Sequence, residues 1–478
     1  MKSINKEIAV IVFFLLLIGL TACNGAPVTE PVVPLATVTP VAQAQEQAPV
    51  GNNEDVDEEV VIKEDVEIKY IVWDANQFPA YEACAANFTE LNPSIQVNVE
   101  QIGWGDYWST LNSQLDAGNA PDVFANHLSK YPEYSAKNQI LDIQPFVDSD
   151  ELDVGIYLGE LEKLWVRDGA RFGLPKDWDT VAVVYDPAVL ADAGITSEEL
   201  NNATWNPEDG GQFGEIVKKL TLDENGNDGL SPDFDKTKVV RYGYAADYNG
   251  TGAYGQTVFS MFAASTGWNF VDGLYATEYY YDDQRFIDTM QWFQDMISDG
   301  YFAPYDEVVS FSSSVLFADG KSALTTDGSW MIGYYSGLED IESGFARLPI
   351  GPNGRKSMFN GLADSVWTGT AHPEAAWEWV KYAASSDCAQ LVGNYGVVFP
   401  AIQSGVWNAI DVYTSRGVDV TAFTSQVEEG GTFLFPITDN ASDIDAIMSE
   451  AFAQIYRGEA PAQDILIDAN ERVNATFN

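Results

Sequence analysis

Phe88-Thr89-Glu90-Leu91-Asn92-Pro93-Ser94-Ile95-Gln96-Val97 is the stretch on which the fold turns. It reads as the end of a helix running directly into a strand, because Pro93 has no N–H to continue the helical ladder and its ring clashes with the turn before it. Working outward, Phe78 to Leu91 has the apolar spacing of an amphipathic helix, and Val66 to Trp73 is a strand by its β-branched residues. Downstream, Ile95 to Gln101 is a second strand, Tyr107 to Ala117 is helical and closes at Gly118, and Asp122 to Ala125 is a short apolar strand after Pro121. Strand–helix alternation of this kind predicts an α/β fold with a partly parallel sheet.

Ahead of Val66 the chain changes character. Lys2 and Lys6 precede an apolar run from Ile8 to Leu20, which has the form of an export leader and is too short for a stable membrane anchor. Asn24 to Asp65 is rich in Ala, Pro, Val, Thr and Gln and then acidic at Glu54-Asp55-Val56-Asp57-Glu58-Glu59. With neither helical nor strand period it reads as a disordered linker, with a mean reach of about 35–40 Å as a flexible coil. The remainder is long enough for one two-lobed unit or for two to three ordinary domains. Hydrophobic residues at 46% and aromatics at 13% supply the material for a large core.

The charge is lopsided, with 72 Asp and Glu against 24 Lys and Arg and a net of −48. Such a field repels phosphate backbones and anionic lipid, which argues against nucleic-acid binding and against an anionic substrate. A neutral ligand or a cation is easier to accommodate. Solubility or adaptation to salt explains the same excess without any ligand.

Two resemblances then become specific. Leu20-Thr21-Ala22-Cys23 resembles the bacterial lipoprotein box, in which the cysteine is lipidated and becomes the mature N-terminus; an ordinary signal peptide with a chance cysteine is the alternative. Phe88 to Val97, followed by Leu115-Asp116-Ala117-Gly118-Asn119-Ala120-Pro121-Asp122-Val123, resembles extracellular solute-binding proteins of ABC importers. Phe172-Gly173-Leu174-Pro175, Val184-Tyr185-Asp186, Ala323-Leu324-Thr325-Thr326-Asp327-Gly328-Ser329-Trp330 and His372-Pro373-Glu374-Ala375-Ala376-Trp377 continue that resemblance in family order. The branch resembled is the carbohydrate-binding one that includes maltose-binding proteins.

What the resemblance implies is a type II periplasmic-binding-protein-like α/β fold of two discontinuous lobes joined by hinge crossovers, with a ligand cleft between them. It places the signal peptide at 1–22, the lipidated Cys23 and tether at 23–65, one lobe at 66–179 plus 323–371, and the other at 180–322 plus 372–478. In such a fold the ligand groups come from loops at strand ends.

Candidate ligand residues follow from chemistry and position. Trp178 in Pro175-Lys176-Asp177-Trp178-Asp179, Trp268 after Gly267, and Trp330 after Gly328-Ser329 stand in expected loops. A flat indole covers the apolar face of a pyranose, while Asp177, Asp179, Asp327 and Asn360 take its hydroxyls. Each tryptophan has core packing as its alternative. Family position adds Trp73, Asp74 and Asn76 after the first strand, Asn126 and His127 after the strand ending at Ala125, and Asp364 and Trp367 before the last crossing, with turn or cap roles as alternatives.

Asp223-Glu224-Asn225-Gly226-Asn227-Asp228-Gly229 has calcium-loop spacing at Asp223, Asn225 and Asn227, yet Asp228 stands where glycine is expected and Phe234 where glutamate is expected. A polar turn is the preferred reading. Cys84 and Cys388 leave a disulfide and two free thiols both open. His127 and His372 are the only histidines, neither beside a nucleophile motif, and there is no zinc pattern or phosphate loop.

The expectation is therefore a monomeric, lipid-anchored extracytoplasmic receptor, not an enzyme and without cofactor, that binds a sugar or oligosaccharide and delivers it to an ABC permease. It meets the membrane through the lipid and has no nucleic-acid partner. A secreted glycoside hydrolase, or a binding protein for a non-sugar solute, is the alternative.

Overall fold

The computed structural model describes residues 65–248 and 252–478. The expected leader, lipidated Cys23 and the linker through residue 64 lie outside the described residues. Among the described residues no helix is long and apolar enough to cross a membrane.

Val66–Val72 runs parallel to Ile95–Gln101, in register from Val66 opposite Ile95 to Val72 opposite Gln101, and Tyr70 pairs with Val123 on its other side. Parallel neighbours need a crossover, and the Phe78–Leu91 helix supplies it, burying Ala80, Tyr81, Cys84, Ala85 and Phe88 as one stripe. The next helix, Trp104–Ala117, begins a turn earlier than the Tyr107 expected from sequence. It ends at Gly118 with φ +70°, the left-handed closure that favours glycine.

These strands belong to a seven-stranded sheet ordered Phe399–Pro400, Leu174–Asp179, Ser357–Val366, Val123–Asn126, Val66–Val72, Ile95–Gln101, with Thr432–Leu434 pairing beside Ser357–Val366. A second, five-stranded sheet is ordered Gly344–Ala346, Val181–Tyr185, Ser322–Gly328, Val239–Ala245, Leu222–Asp223. The molecule is thus a two-lobed α/β fold. Thr180 alone separates Leu174–Asp179 of one sheet from Val181–Tyr185 of the other, so the chain crosses between lobes in a single residue. It crosses back between Ala346 and Ser357.

Sheet membership departs from expectation in two places. Ser322–Gly328 and Gly344–Ala346, expected with the first lobe, pair with Val181–Tyr185 in the second sheet. In the 372–478 segment expected with the second lobe, Pro373–Ala383 and Ser386–Tyr395 pack on Ser357–Val366 and Phe78–Leu91 of the first, and Phe399–Pro400 and Thr432–Leu434 pair in the first sheet. Every residue of Ser322–Gly328 is buried, so its polarity pattern carries no hint of which sheet covers it. Ala441–Tyr456 and Ala462–Ala475 then pack on Gln284–Ser298 in the second lobe.

Cys84 and Cys388 are disulfide-bonded, with S–S 2.09 Å and Cα atoms 5.4 Å apart. The bond ties Phe78–Leu91 to Ser386–Tyr395, which fixes the latter helix to the first lobe. The Asp223 turn is also resolved. Its carboxylate accepts from the backbone N–H of Asn225, Asn227 and Asp235 and from the Asn227 amide. Four N–H donors hold that carboxyl down at about 2, and they occupy the lone pairs a calcium ion would need. Among the described residues no group of three or more His, Cys, Asp or Glu could hold a metal ion.

Candidate functional site: the cleft between the sheets

A cavity of about 540 Å³ opens where the strand ends of both sheets face each other. From the first lobe come Trp73 to Gln77 after the first strand, Trp104 and Trp108 on the opening turns of the next helix, and His127, Ser129 and Lys130 after Val123–Asn126. Asp177 and Asp179 project from Leu174–Asp179, and Asn360 and Leu362 from the neighbouring Ser357–Val366. The second lobe adds Asp327, Trp330, Asp247, Gln256 and Thr257, while Phe435, Asp445 and Ser449 close one side.

Of the residues expected from sequence, the cleft therefore brings together Trp73, Asp74, Asn76, His127, Asp177, Asp179, Asp327, Trp330 and Asn360. The others lie elsewhere. Trp178 points away because side chains alternate along a strand: with Asp177 and Asp179 facing the cleft, the residue between them faces the opposite side. There it stacks between Phe359 and Phe399, centroids 5.9 and 4.8 Å away. Trp268 is 1% exposed, stacks on Phe286 at 4.3 Å and donates its indole N–H to the Tyr280 carbonyl at 2.7 Å. Both are core residues.

Asn126 is buried beside the site, bonding Ser365 and its own neighbour His127. Asp364 lies within the first lobe, 2.9 Å from the Lys176 ammonium, and accepts from the Tyr70 hydroxyl at 2.9 Å. It balances a buried lysine, which also lies 4.5 Å from the Tyr81 ring centroid. Trp367 is half-buried and donates its backbone N–H to the Asp122 carbonyl, so it fastens an edge and does not line the cleft.

The tryptophan wall is a cluster. Trp73 lies 5.4 Å from Trp104 and 5.5 Å from Trp108, and Trp104 lies 5.6 Å from Trp108, each packed edge-on or tilted. Trp104 is 41% exposed, so its ring is offered to solvent and not consumed by the core. Across the cleft, Trp330 folds over Gly328, where an added Cβ would come within 2.0 Å of its ring.

Comparison with known proteins gives this architecture its family. The family model for bacterial extracellular solute-binding proteins matches residues 83–406, over half of the chain. This chain is a bacterial extracellular solute-binding protein. It is similar to the maltodextrin-binding protein MdxE of Bacillus subtilis (strain 168), 26% identical over 277 residues, covering 56% of this chain and 58% of that relative's length. In fold it is similar to the ABC substrate-binding protein Lmo0181 from Listeria monocytogenes in complex with cycloalternan (TM-score 0.75, 18% identity, 87% of this chain and 99% of that one). It is also similar to M. tuberculosis UspC (TM-score 0.67, 24% identity, 86% and 99%).

The electrostatics of this solute-binding protein are set by burial. Asp177 is wholly buried, neither carboxylate oxygen has a hydrogen-bond partner, and desolvation, with Asp364 and Asp74 nearby, pushes it up to about 7 against the pull of Lys176. The Leu362 backbone N–H relieves it slightly without a full hydrogen bond. Asp179 is raised well above the carboxylate range by desolvation and by Asp177, although Gln256 donates to it at 2.5 Å and Asn360 at 3.3 Å. Asp327 is pushed up to about 7 by desolvation and by Asp247, and it accepts from the Tyr335 hydroxyl at 2.8 Å. Burial, with Lys130 nearby, drops His127 to about 3, so the ring is neutral at physiological pH.

Sequence reasoning missed Trp104 and Trp108, together with Lys130, Asp247, Gln256, Thr257, Phe435 and Asp445. The tryptophan pair carried a signal. Two indoles four residues apart share one helix face, and this helix starts at the end of a parallel strand, where an α/β sheet opens its crevice.

Proposed function

We propose that this protein is an extracytoplasmic receptor that captures a sugar or oligosaccharide between its lobes and delivers it to an ABC importer in the membrane. The observation that carries the reading is one cleft that joins the Trp73, Trp104 and Trp108 wall to buried polar groups at Asp177, Asp179 and Asn360. Indole faces cover the C–H surface of a pyranose, and carboxylates and amides bind its rim of hydroxyls. Two relatives, a maltodextrin-binding protein and an ABC substrate-binding protein in complex with cycloalternan, support the same ligand class.

In this reading the lobes are 66–179 with about 357–434, and 180–346 with about 441–478, and they close by rotation about the crossovers. The signal peptide at 1–22 is removed, Cys23 carries the lipid, and residues 24–65 tether the receptor near its permease at high effective concentration. The receptor works as a monomer and without catalysis; its similarity to binding proteins supports the second of these. Isothermal titration of the full chain against mono- and oligosaccharides tests it. Saturable heat from at least one saccharide is expected, and silence across the panel from a folded protein refutes the assignment. A turnover assay on the same sugars is expected to give no product; sustained release would make it a glycoside hydrolase.

A further inference from the structure

The cleft's donors and acceptors are out of balance. Asp74, Asp177, Asp179, Asp327 and Asp445 all border it, whereas among the described residues Lys130 is the lining cation, and it sits 3.7 Å from Asp445. Of the lining amides, Gln77 is engaged with Asp74, Gln256 with Asp179, and Asn360 with Asp179 and His127; the buried donors left there without partners, among them the Trp108 indole N–H and the Thr257 hydroxyl, are neutral. A sugar hydroxyl both donates and accepts, so an all-hydroxyl ligand asks for a mixture of partners. A wall whose charged groups are nearly all acidic suits a ligand group that donates and carries positive charge.

Asp177 sharpens the point. Its side chain is 0% exposed, it lines the cleft, and both oxygens lack a hydrogen-bond partner. One hydroxyl would satisfy one oxygen. An ammonium offers three donors and the opposite charge. Indole faces add attraction for a cation set beside them, and the net charge of −48 draws cations toward the protein as a whole. An anionic sugar would find one basic side chain in this lining, Lys130, already beside Asp445.

We infer that the ligand is a sugar carrying a protonated amine, seated with a ring against the tryptophan wall and its ammonium beside Asp177 and the carboxylates facing it. This rests on the saccharide reading above and narrows it to amino sugars and their oligomers. A flexible polyamine satisfies the carboxylates but leaves the exposed Trp104 face without a flat partner.

Titration calorimetry of the full chain with matched ligands tests the inference: glucosamine against glucose, galactosamine against galactose, and chitosan trimer against both cellotriose and its N-acetylated counterpart. The amine member of at least one set is expected to bind tenfold tighter or better, with acetylation abolishing the advantage. Asp177→Asn, shown folded by circular dichroism, is expected to cut that preference below threefold; Asp327→Asn serves the same purpose if the first variant fails to fold. Neutral sugars binding as well as their amines would overturn this inference and leave the saccharide reading standing. Spermidine binding tighter than every amino sugar would overturn both, as would silence from all sugars.

Discussion

The unpartnered carboxyl of Asp177 makes the ligand-free fold sensitive to pH in a calculable way. Its folded pKa of about 7 lies above its ordinary value of 3.8, so the folded state holds a proton that the unfolded chain has already released. Stability from this group is complete below pH 4 and is lost as pH rises to 7, at about 1.4 kcal/mol per pH unit. Between pH 5 and pH 8 the loss is about 3 kcal/mol, because titration ends near pH 7. Asp177→Asn removes the titrating group, so the variant is expected to gain about 3 kcal/mol on the wild type across that interval. Any constant offset from the new amide cancels in the comparison. Urea unfolding of both proteins at pH 5 and pH 8, without ligand, measures it. A wild-type minus variant difference that stays flat within about 0.5 kcal/mol would refute the burial argument.

The other expectations concern separate parts of the molecule. Trp268→Ala is expected to cost about 3–5 kcal/mol of stability by urea unfolding, whereas Trp104→Ala leaves stability nearly unchanged and weakens saccharide binding about tenfold by calorimetry. The reverse pattern would mean the two tryptophans have been assigned to the wrong roles. Lys176→Met strands Asp364 in the core and is expected to cost about 3–5 kcal/mol, most of it recovered in Lys176→Met/Asp364→Leu; no recovery would argue against a charge-pairing role. Replacing Cys84 and Cys388 by serine opens a covalent loop with a sequence separation of 304 residues, for which chain entropy sets a ceiling of about 5–6 kcal/mol. A cysteine-free protein as stable in urea as the oxidised wild type would contradict the bond.

Much of the fold was written locally. Pro93 ends one helix and starts one strand, and the same punctuation recurs at Gly118 and Pro121, so the parallel Val66–Val72, Ile95–Gln101 and Val123–Asn126 set could be read directly. Long-range pairings could not. The choice of sheet for Ser322–Gly328, the Cys84–Cys388 bond and the Lys176–Asp364 pair each join segments more than a hundred residues apart, and nothing in their own neighbourhoods selects the partner. The site shows the same division. Asp177 and Asp179 were visible as polar residues at a crossover expected to be a loop; the segment is a strand, and alternation along Asp177-Trp178-Asp179 sends Trp178 to the other face. Trp104 was hidden by a helix start placed one turn late.

The most direct test of the account is a crystal structure of the protein with the saccharide that binds tightest in calorimetry. A sugar ring is expected within van der Waals contact of Trp104 or Trp330, with a ligand donor within hydrogen-bond distance of an Asp177 oxygen. A saccharide bound away from this cleft, or one that touches neither the tryptophans nor Asp177, would contradict it.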